Sequence, residues 1–189
     1  EKRPNITLYR DYAAFEAPHS VRVGSDVIDA DRIYLNTGAR PAIPPIDGLD
    51  QVPYLDNIRL MNLTELPPHL IILGGGYIGL EFAQAFRRFG SDVTVIDRST
   101  VVIEHEDQEF SEAVQSTVER EGVRFVFDAD TRRIEQQNGQ IRLHIDHSDG
   151  SSQIVSGTHL LVATGRRPNS DRIGADAAGL KLDEKGYVT

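Results

Sequence analysis

Gly74, Gly76 and Gly79 stand in the spacing G-x-G-x-x-G, and an acid, Asp97, follows 18 residues after the last of them. Those residues at that spacing suit the holding of a dinucleotide. Gly74 permits a tight turn, Gly76 lets backbone approach a pyrophosphate with no Cβ in the way, and Gly79 lets a helix lie close on a strand. Gly75, Tyr77 and Ile78 complete the corner. Free N–H groups and a partial positive charge at the helix N-terminus would stabilise the diphosphate. Asp97 is placed to accept hydrogen bonds from the ribose hydroxyls of the adenosine. A 2′-phosphate there would face a like charge, which favours NAD over NADP. Arg98 comes next and could pair with that phosphate instead.

A second pattern is a repeat. Residues 33–41 read I-Y-L-N-T-G-A-R-P and residues 160–168 read L-L-V-A-T-G-R-R-P. Each is an apolar run, read as a strand, that ends in Thr-Gly-x-Arg-Pro, and each follows a β-meander signal. Thr37 and Thr164 lie 127 residues apart, so the chain reads as two homologous halves. Ligands of open α/β sheets sit at the carboxyl ends of strands. Thr37, Gly38, Thr164 and Gly165 are therefore candidate cofactor contacts. Simple turns, stopped by Pro41 and Pro168, fit the composition equally well.

Other chemistries find less support. There is no cysteine, which excludes a disulfide scaffold, a thiolate zinc site and a cysteine nucleophile within this chain. Glu104-His105-Glu106-Asp107 invites a metal reading, but acids in the first turn of a helix complement its dipole, and no second cluster has ligand spacing. No metal site is expected. His144 and His147 are assigned no role, and residue order reveals no Ser–His–Asp arrangement. With 20 basic and 29 acidic residues the net charge is −9, which argues against nucleic acid as a partner. No apolar run approaches the roughly 18 residues of a membrane span, and no secretory leader is visible. The expected location is cytoplasmic.

The elements that must position the corner follow from hydrophobic period. Leu70–Leu73 is a continuous apolar run suited to a strand covered on both faces. Ile78, Phe82, Ala85, Phe86 and Phe89 recur at helical spacing up to Gly90. Val93–Ile96 reads as a second buried strand, residues 107–121 as an amphipathic helix closed by Gly122, and Val123–Val126 as a third strand. Ile141–Ile145 and Gln153–Val155 read as a hairpin, and Leu160–Ala163 as the last buried strand. Strand–helix alternation predicts an α/β fold with a parallel sheet and a β-meander.

L-I-I-L-G-G-G-Y-I-G-L-E-F-A, residues 70–83, together with the two Thr-Gly-x-Arg-Pro endings, resembles the pyridine nucleotide-disulfide oxidoreductases. These FAD flavoproteins include glutathione reductase, dihydrolipoamide dehydrogenase and mercuric reductase. H-E-D-Q-E after V-T-V-I-D-R is most similar to the mercuric-reductase-like branch, where an arginine commonly stands at the place of His105. The resemblance implies a Rossmann-like FAD/NAD(P)-binding fold, a three-layer β-β-α sandwich. It implies a nicotinamide domain over residues 67–163, with residues 1–66 and 164–189 as pieces of an FAD domain. It implies that Tyr77 shields the flavin and moves when nicotinamide binds, and that Glu81 stands near the nicotinamide amide. Gly165 and Arg166 would lie close to both cofactors.

The FAD glycine motif, the redox cysteine pair, the late Gly-Asp and the carboxy-terminal His–Glu pair of that family are absent from these residues. An internal fragment, inactive alone, is therefore expected. The implied parent passes hydride from NAD(P)H to FAD, then electrons to a disulfide or metal ion, and is a homodimer. Two other readings stay open: a cysteine-independent flavoprotein reductase or NADH-oxidase-like enzyme, and a non-enzymatic NAD-binding sensor.

Overall fold

A computed structural model describes residues 5–189. The chain forms two compact units, one from the residues up to Arg40 with Arg166–Thr189, the other from Pro41–Gly165. In the first unit β1 (Ala13–Ala17), β2 (Ser20–Val23) and β3 (Asp26–Asp29) form an antiparallel meander in sequence order. Phe15 anchors it: its side chain packs with Ile173 and Ala175, and its N–H donates to the Ile173 carbonyl at 2.7 Å. A short strand β4 (Ala39–Pro41) pairs with Arg166–Pro168, which is β13 in chain order. Residues 33–37, expected as an apolar strand, are not one: Tyr34 is 86% exposed. A strand persists only where a neighbouring strand takes its N–H and C=O groups, and among the described residues no strand pairs with these.

In the second unit β5 (Tyr54–Leu55) and helix α1 (Asn57–Leu60) precede β6 (His69–Leu73), α2 (Tyr77–Phe89) and β7 (Asp92–Ile96). Then come α3 (Gln108–Arg120), β8 (Arg124–Val126), β9 (Asp130–Gln137), β10 (Gln140–Asp146), β11 (Ser152–Gly157) and β12 (His159–Val162). The strands β5-β12-β6-β7-β8 make one parallel sheet, and β9 to β11 an antiparallel meander.

The side-chain period of 2 divides the sheet between two cores. Leu70 and Ile72 of β6, with Val93, Val95 and Leu161, face Ala83 of α2 and Val118 of α3. Ile71 and Leu73, with Ile96, Leu160 and Val162, face Ile134, Ile141, Leu143 and Ile145 of the meander. Both faces of the sheet are covered, which is why its strands read as unbroken apolar runs. The fold is the α/β, three-layer arrangement expected.

Two further features differ from sequence expectation. Residues 41–66, grouped there with the first segment, pack within the second unit: Leu49 and Val52 join the sheet–meander core and Leu60 the sheet–helix core. Gly48, at φ 75°, lies where a Cβ would come 2.1 Å from the Ile134 carbonyl oxygen. Strand β9 was not foreseen. Of D-T-R-R-I-E-Q-Q only Thr131 and Ile134 are buried, and the register shifts opposite His144 and Ile145. An irregular strand this rich in charge shows no clean alternation to read.

Candidate functional site

The glycine corner sits where β6 ends, beside the exit of β12. The Gly74 N–H donates to Ile96 O and the Ala163 N–H to Leu73 O, each at 2.8 Å, so both neighbouring strands hold this point. Gly74 has φ 113°, and a Cβ on it would lie 2.5 Å from the Ala163 carbonyl oxygen. A Cβ on Gly79 would lie 2.0 Å from the Gly74 carbonyl oxygen. These two glycines are required by packing. Gly76 is different: its φ of −77° suits any residue, and a Cβ there would meet nothing within 4 Å. Helix α2 starts directly after it with no side chain capping its N-terminus. First-turn N–H groups thus face an open, Cβ-free cradle. That donor set and that space fit a diphosphate.

Asp97 is half-buried at the end of β7. Its Oδ2 accepts the Gly75 N–H, and its Oδ1 accepts the Ser99 N–H at 2.8 Å. Each carboxylate oxygen has a second lone-pair site for a further donor. The Gly75 carbonyl in turn accepts the Ile103 N–H at 3.1 Å, so residues 98–107 form a strap tied back to the corner. Ile103 adopts φ 45°, an outlier for a β-branched residue. Its side chain is 8% exposed and packs with Leu80 and Val102, which holds that conformation.

Tyr77 opens α2, 56% exposed, and its hydroxyl donates to the Glu106 carboxylate. That bond raises the Tyr77 pKa, because losing the proton would leave two anions face to face. Ile78 is half-buried and Glu81 exposed. Tyr77 and Glu81 lie on one wall of a groove of about 440 Å³ between α2 and α3, with Leu80, Ile103 and Phe110. Arg98 is exposed. The acids expected in the first turn of a helix are placed otherwise. Helix α3 begins at Gln108 with only Glu109 in its first turn, while Glu104 and Glu106 lie before it and accept from Ser99 Oγ and the Tyr77 hydroxyl. Among the described residues no group of three His, Asp or Glu side chains is arranged for a metal ion.

The two Thr-Gly endings differ in their partners. Gly165, at φ 148°, accepts the Ala42 N–H at 3.0 Å, and Thr164 Oγ1 reaches Ala42 O at 3.3 Å. In the first unit Asn169 donates to the carbonyls of Thr37 (2.9 Å) and Gly38 (3.1 Å), and Arg166 donates to Ala39 O at 2.8 Å. The arginines of both copies of the repeat converge on one acid. Arg40 makes a two-pronged pair with Asp171, and Arg167 Nη2 lies 3.3 Å from Asp171 Oδ2. Sequence reading missed Asp171. The duplicated arginine signalled a shared partner, but nothing in residue order named it.

The Arg40 guanidinium, and then Arg167, hold the Asp171 carboxyl below its ordinary value of 3.8. A depressed carboxylate stabilises the fold above its unfolded pKa and loses that effect as pH falls through the folded one. The Asp171→Asn variant should therefore melt below the parent at neutral pH. The gap should close as pH drops below 3.8. Paired thermal melts across pH check this, and a gap independent of pH contradicts it.

Among the described residues no helix is long and apolar enough to cross a membrane. The family profile described as pyridine nucleotide-disulphide oxidoreductase matches residues 1–189. Over 98% of the chain it is 35% identical to the probable pyridine nucleotide-disulfide oxidoreductase RclA of Escherichia coli, spanning 42% of that protein. Over 97% of the chain it is 36% identical to a mercuric reductase of Lysinibacillus sphaericus, spanning 34% of it. The solved structure of a Cu(II) complex of the HOCl-induced flavoprotein disulfide reductase RclA from E. coli superposes with a TM-score of 0.88 over 98% of the chain and 42% of that one. The chain thus spans well under half the length of these relatives. With the profile matched from end to end and relatives above 30% identity, the chain belongs to the pyridine nucleotide-disulphide oxidoreductase family.

Proposed function

We propose that this chain is the NAD(P)H-binding portion of a flavin-dependent oxidoreductase. The whole protein passes hydride from NAD(P)H to FAD, and electrons onward to a disulfide or a metal ion. The observation that carries the reading is the cradle at Gly76, open where a side chain would stand and faced by an uncapped helix N-terminus. Bound there, the nicotinamide supplies the hydride; the chain's own residues bind and orient it. Backbone N–H groups of α2 hold the diphosphate, and Asp97 takes the ribose hydroxyls with the lone pairs left by Gly75 and Ser99. Tyr77 and Glu81 stand on the helix that leads from the corner and serve the nicotinamide end. Thr37 and Gly38, just before β4, and Thr164, Gly165 and Arg166, just after β12, serve as cofactor contacts. In this reading residues 67–163 are the nicotinamide domain, with residues 41–66 packed in the same unit, and the residues up to Arg40 with Arg166–Thr189 belong to an FAD domain. The whole protein is a cytoplasmic homodimer.

Asp97 also sets the preference for NAD over NADP. Calorimetric titration tests both statements. The protein binds NADH, and the Asp97→Ala variant binds it roughly ten- to a hundredfold more weakly, as expected for loss of a hydrogen bond to a charged group of about 1.5–3 kcal/mol. NADPH affinity is spared, because the variant also removes the like charge that faces its 2′-phosphate. Tighter binding of NADPH than NADH by the unaltered protein would overturn the preference, and no binding of either would overturn the function.

A further inference from the structure

Ser99 stands two residues beyond Asp97, and both of its donors are already committed to carboxylates. Its N–H bonds Asp97 Oδ1 at 2.8 Å, and its hydroxyl donates to Glu104 Oε2. One serine therefore links a second carboxylate, that of Glu104, to Asp97. The strap fixes this arrangement, because the Ile103 N–H is bonded to Gly75 O at 3.1 Å and Glu104 follows directly. The His105 imidazole lies beside Glu104, with Nε2 3.9 Å from Oε1, and is 92% exposed to water. Arg98 lies on the same strap, exposed.

Two nucleotides would meet this surface differently. A ribose 2′-hydroxyl is a donor and needs an acceptor, which Asp97 provides. A 2′-phosphate is close to a dianion at neutral pH and needs donors and cations in place of the hydroxyl. The neutral donors bonded to Asp97 and Glu104 are the Gly75 N–H and the Ser99 N–H and hydroxyl, and the phosphate could win none of them without breaking an existing bond. It would also meet two negative charges rather than one. Arg98 supplies one positive charge against both.

We propose that Glu104 is a specificity residue. Acting through the Ser99 hydroxyl, it holds a second carboxylate beside Asp97 and turns the site against nucleotides that carry a 2′-phosphate. The proposal rests on the reading of the glycine corner as a pyridine-nucleotide site. Its content is separate: Asp97 selects the hydroxyl, while Glu104 and Ser99 reject the phosphate.

The experiment is calorimetric titration of the protein, and of its Glu104→Gln and Ser99→Ala variants, with NADH and NADPH at low and high salt. In the unaltered protein NADPH binds more weakly than NADH, and the ratio of their dissociation constants narrows as salt screens the carboxylates. Glu104→Gln removes the charge and keeps the shape. Ser99→Ala keeps the charge but releases it into solvent. Each variant lowers the ratio about three- to tenfold, the size expected for one charge interaction near a protein surface, and flattens its salt dependence. A merely structural role for Glu104 would move both affinities together and leave the ratio and its salt slope alone. If NADH binds normally but neither variant changes the ratio, the proposal falls and the nucleotide site stands. If the unaltered protein binds neither nucleotide, the proposed function falls and takes this inference with it.

Discussion

Replacing Gly76 by valine should abolish dinucleotide binding and leave the protein folded. The backbone at this position, φ −77°, is one valine adopts without strain, and its Cβ would touch nothing within 4 Å. The isopropyl group would instead fill the space in front of the first turn of α2. A diphosphate could then no longer approach the N–H groups, and loss of several such charge-assisted bonds amounts to more than about a hundredfold in affinity. The folded state loses little, since valine is a poorer N-cap than glycine by about 1 kcal/mol. For a chain of this size that lowers the melting midpoint by about 2–4 °C. Titration with NADH beside a thermal melt reads both effects. NADH affinity that survives the substitution would remove the site.

The Gly79→Val variant should do the reverse, damaging the fold first. A Cβ on Gly79 would come 2.0 Å from the Gly74 carbonyl oxygen, a backbone atom that cannot rotate away. Gly74 is itself pinned, with its own Cβ direction blocked 2.5 Å away by the Ala163 carbonyl oxygen. Relief requires α2 to lift from β6, opening the packing of Ala83 against Leu70 and Ile72. Overpacking costs about 1–3 kcal/mol, more where backbone must move. A loss of about 3 kcal/mol lowers the melting midpoint by about 6–12 °C. Nucleotide binding declines as well, because the corner moves with the helix. An unchanged melt would mean that helix and strand are not in close contact. The two valine variants, three positions apart in one motif, thus separate the glycine kept for a ligand from the glycine kept for packing.

The elements around the corner were legible because their signals are local. Leu70–Leu73 and Val93–Val126 carry their strands and helix in consecutive residue types, and Gly90 and Gly122 mark where the helices stop. Burial on both faces of the sheet is visible as apolar runs without alternation. The β9 strand was lost in a charged sequence with an irregular register, and residues 33–37 carry the pattern of a strand while finding no ladder partner among the described residues. A pattern states which face could be buried; it does not supply the neighbour that buries it.

By itself the sequence determined the glycine corner, the acid after the second strand, the strand–helix alternation from Leu70 to Val126, and the repeated Thr-Gly-x-Arg-Pro. Each of these depends on backbone freedom, side-chain period or residue type, which are properties of neighbours along the chain. Only the tertiary structure decided that both repeat arginines share Asp171, that Tyr77 reaches Glu106, and that Ser99 joins Glu104 to Asp97. Those pairings depend on where the fold returns the chain in space. A hydrogen bond acts over about 3 Å between atoms whatever the number of residues between them.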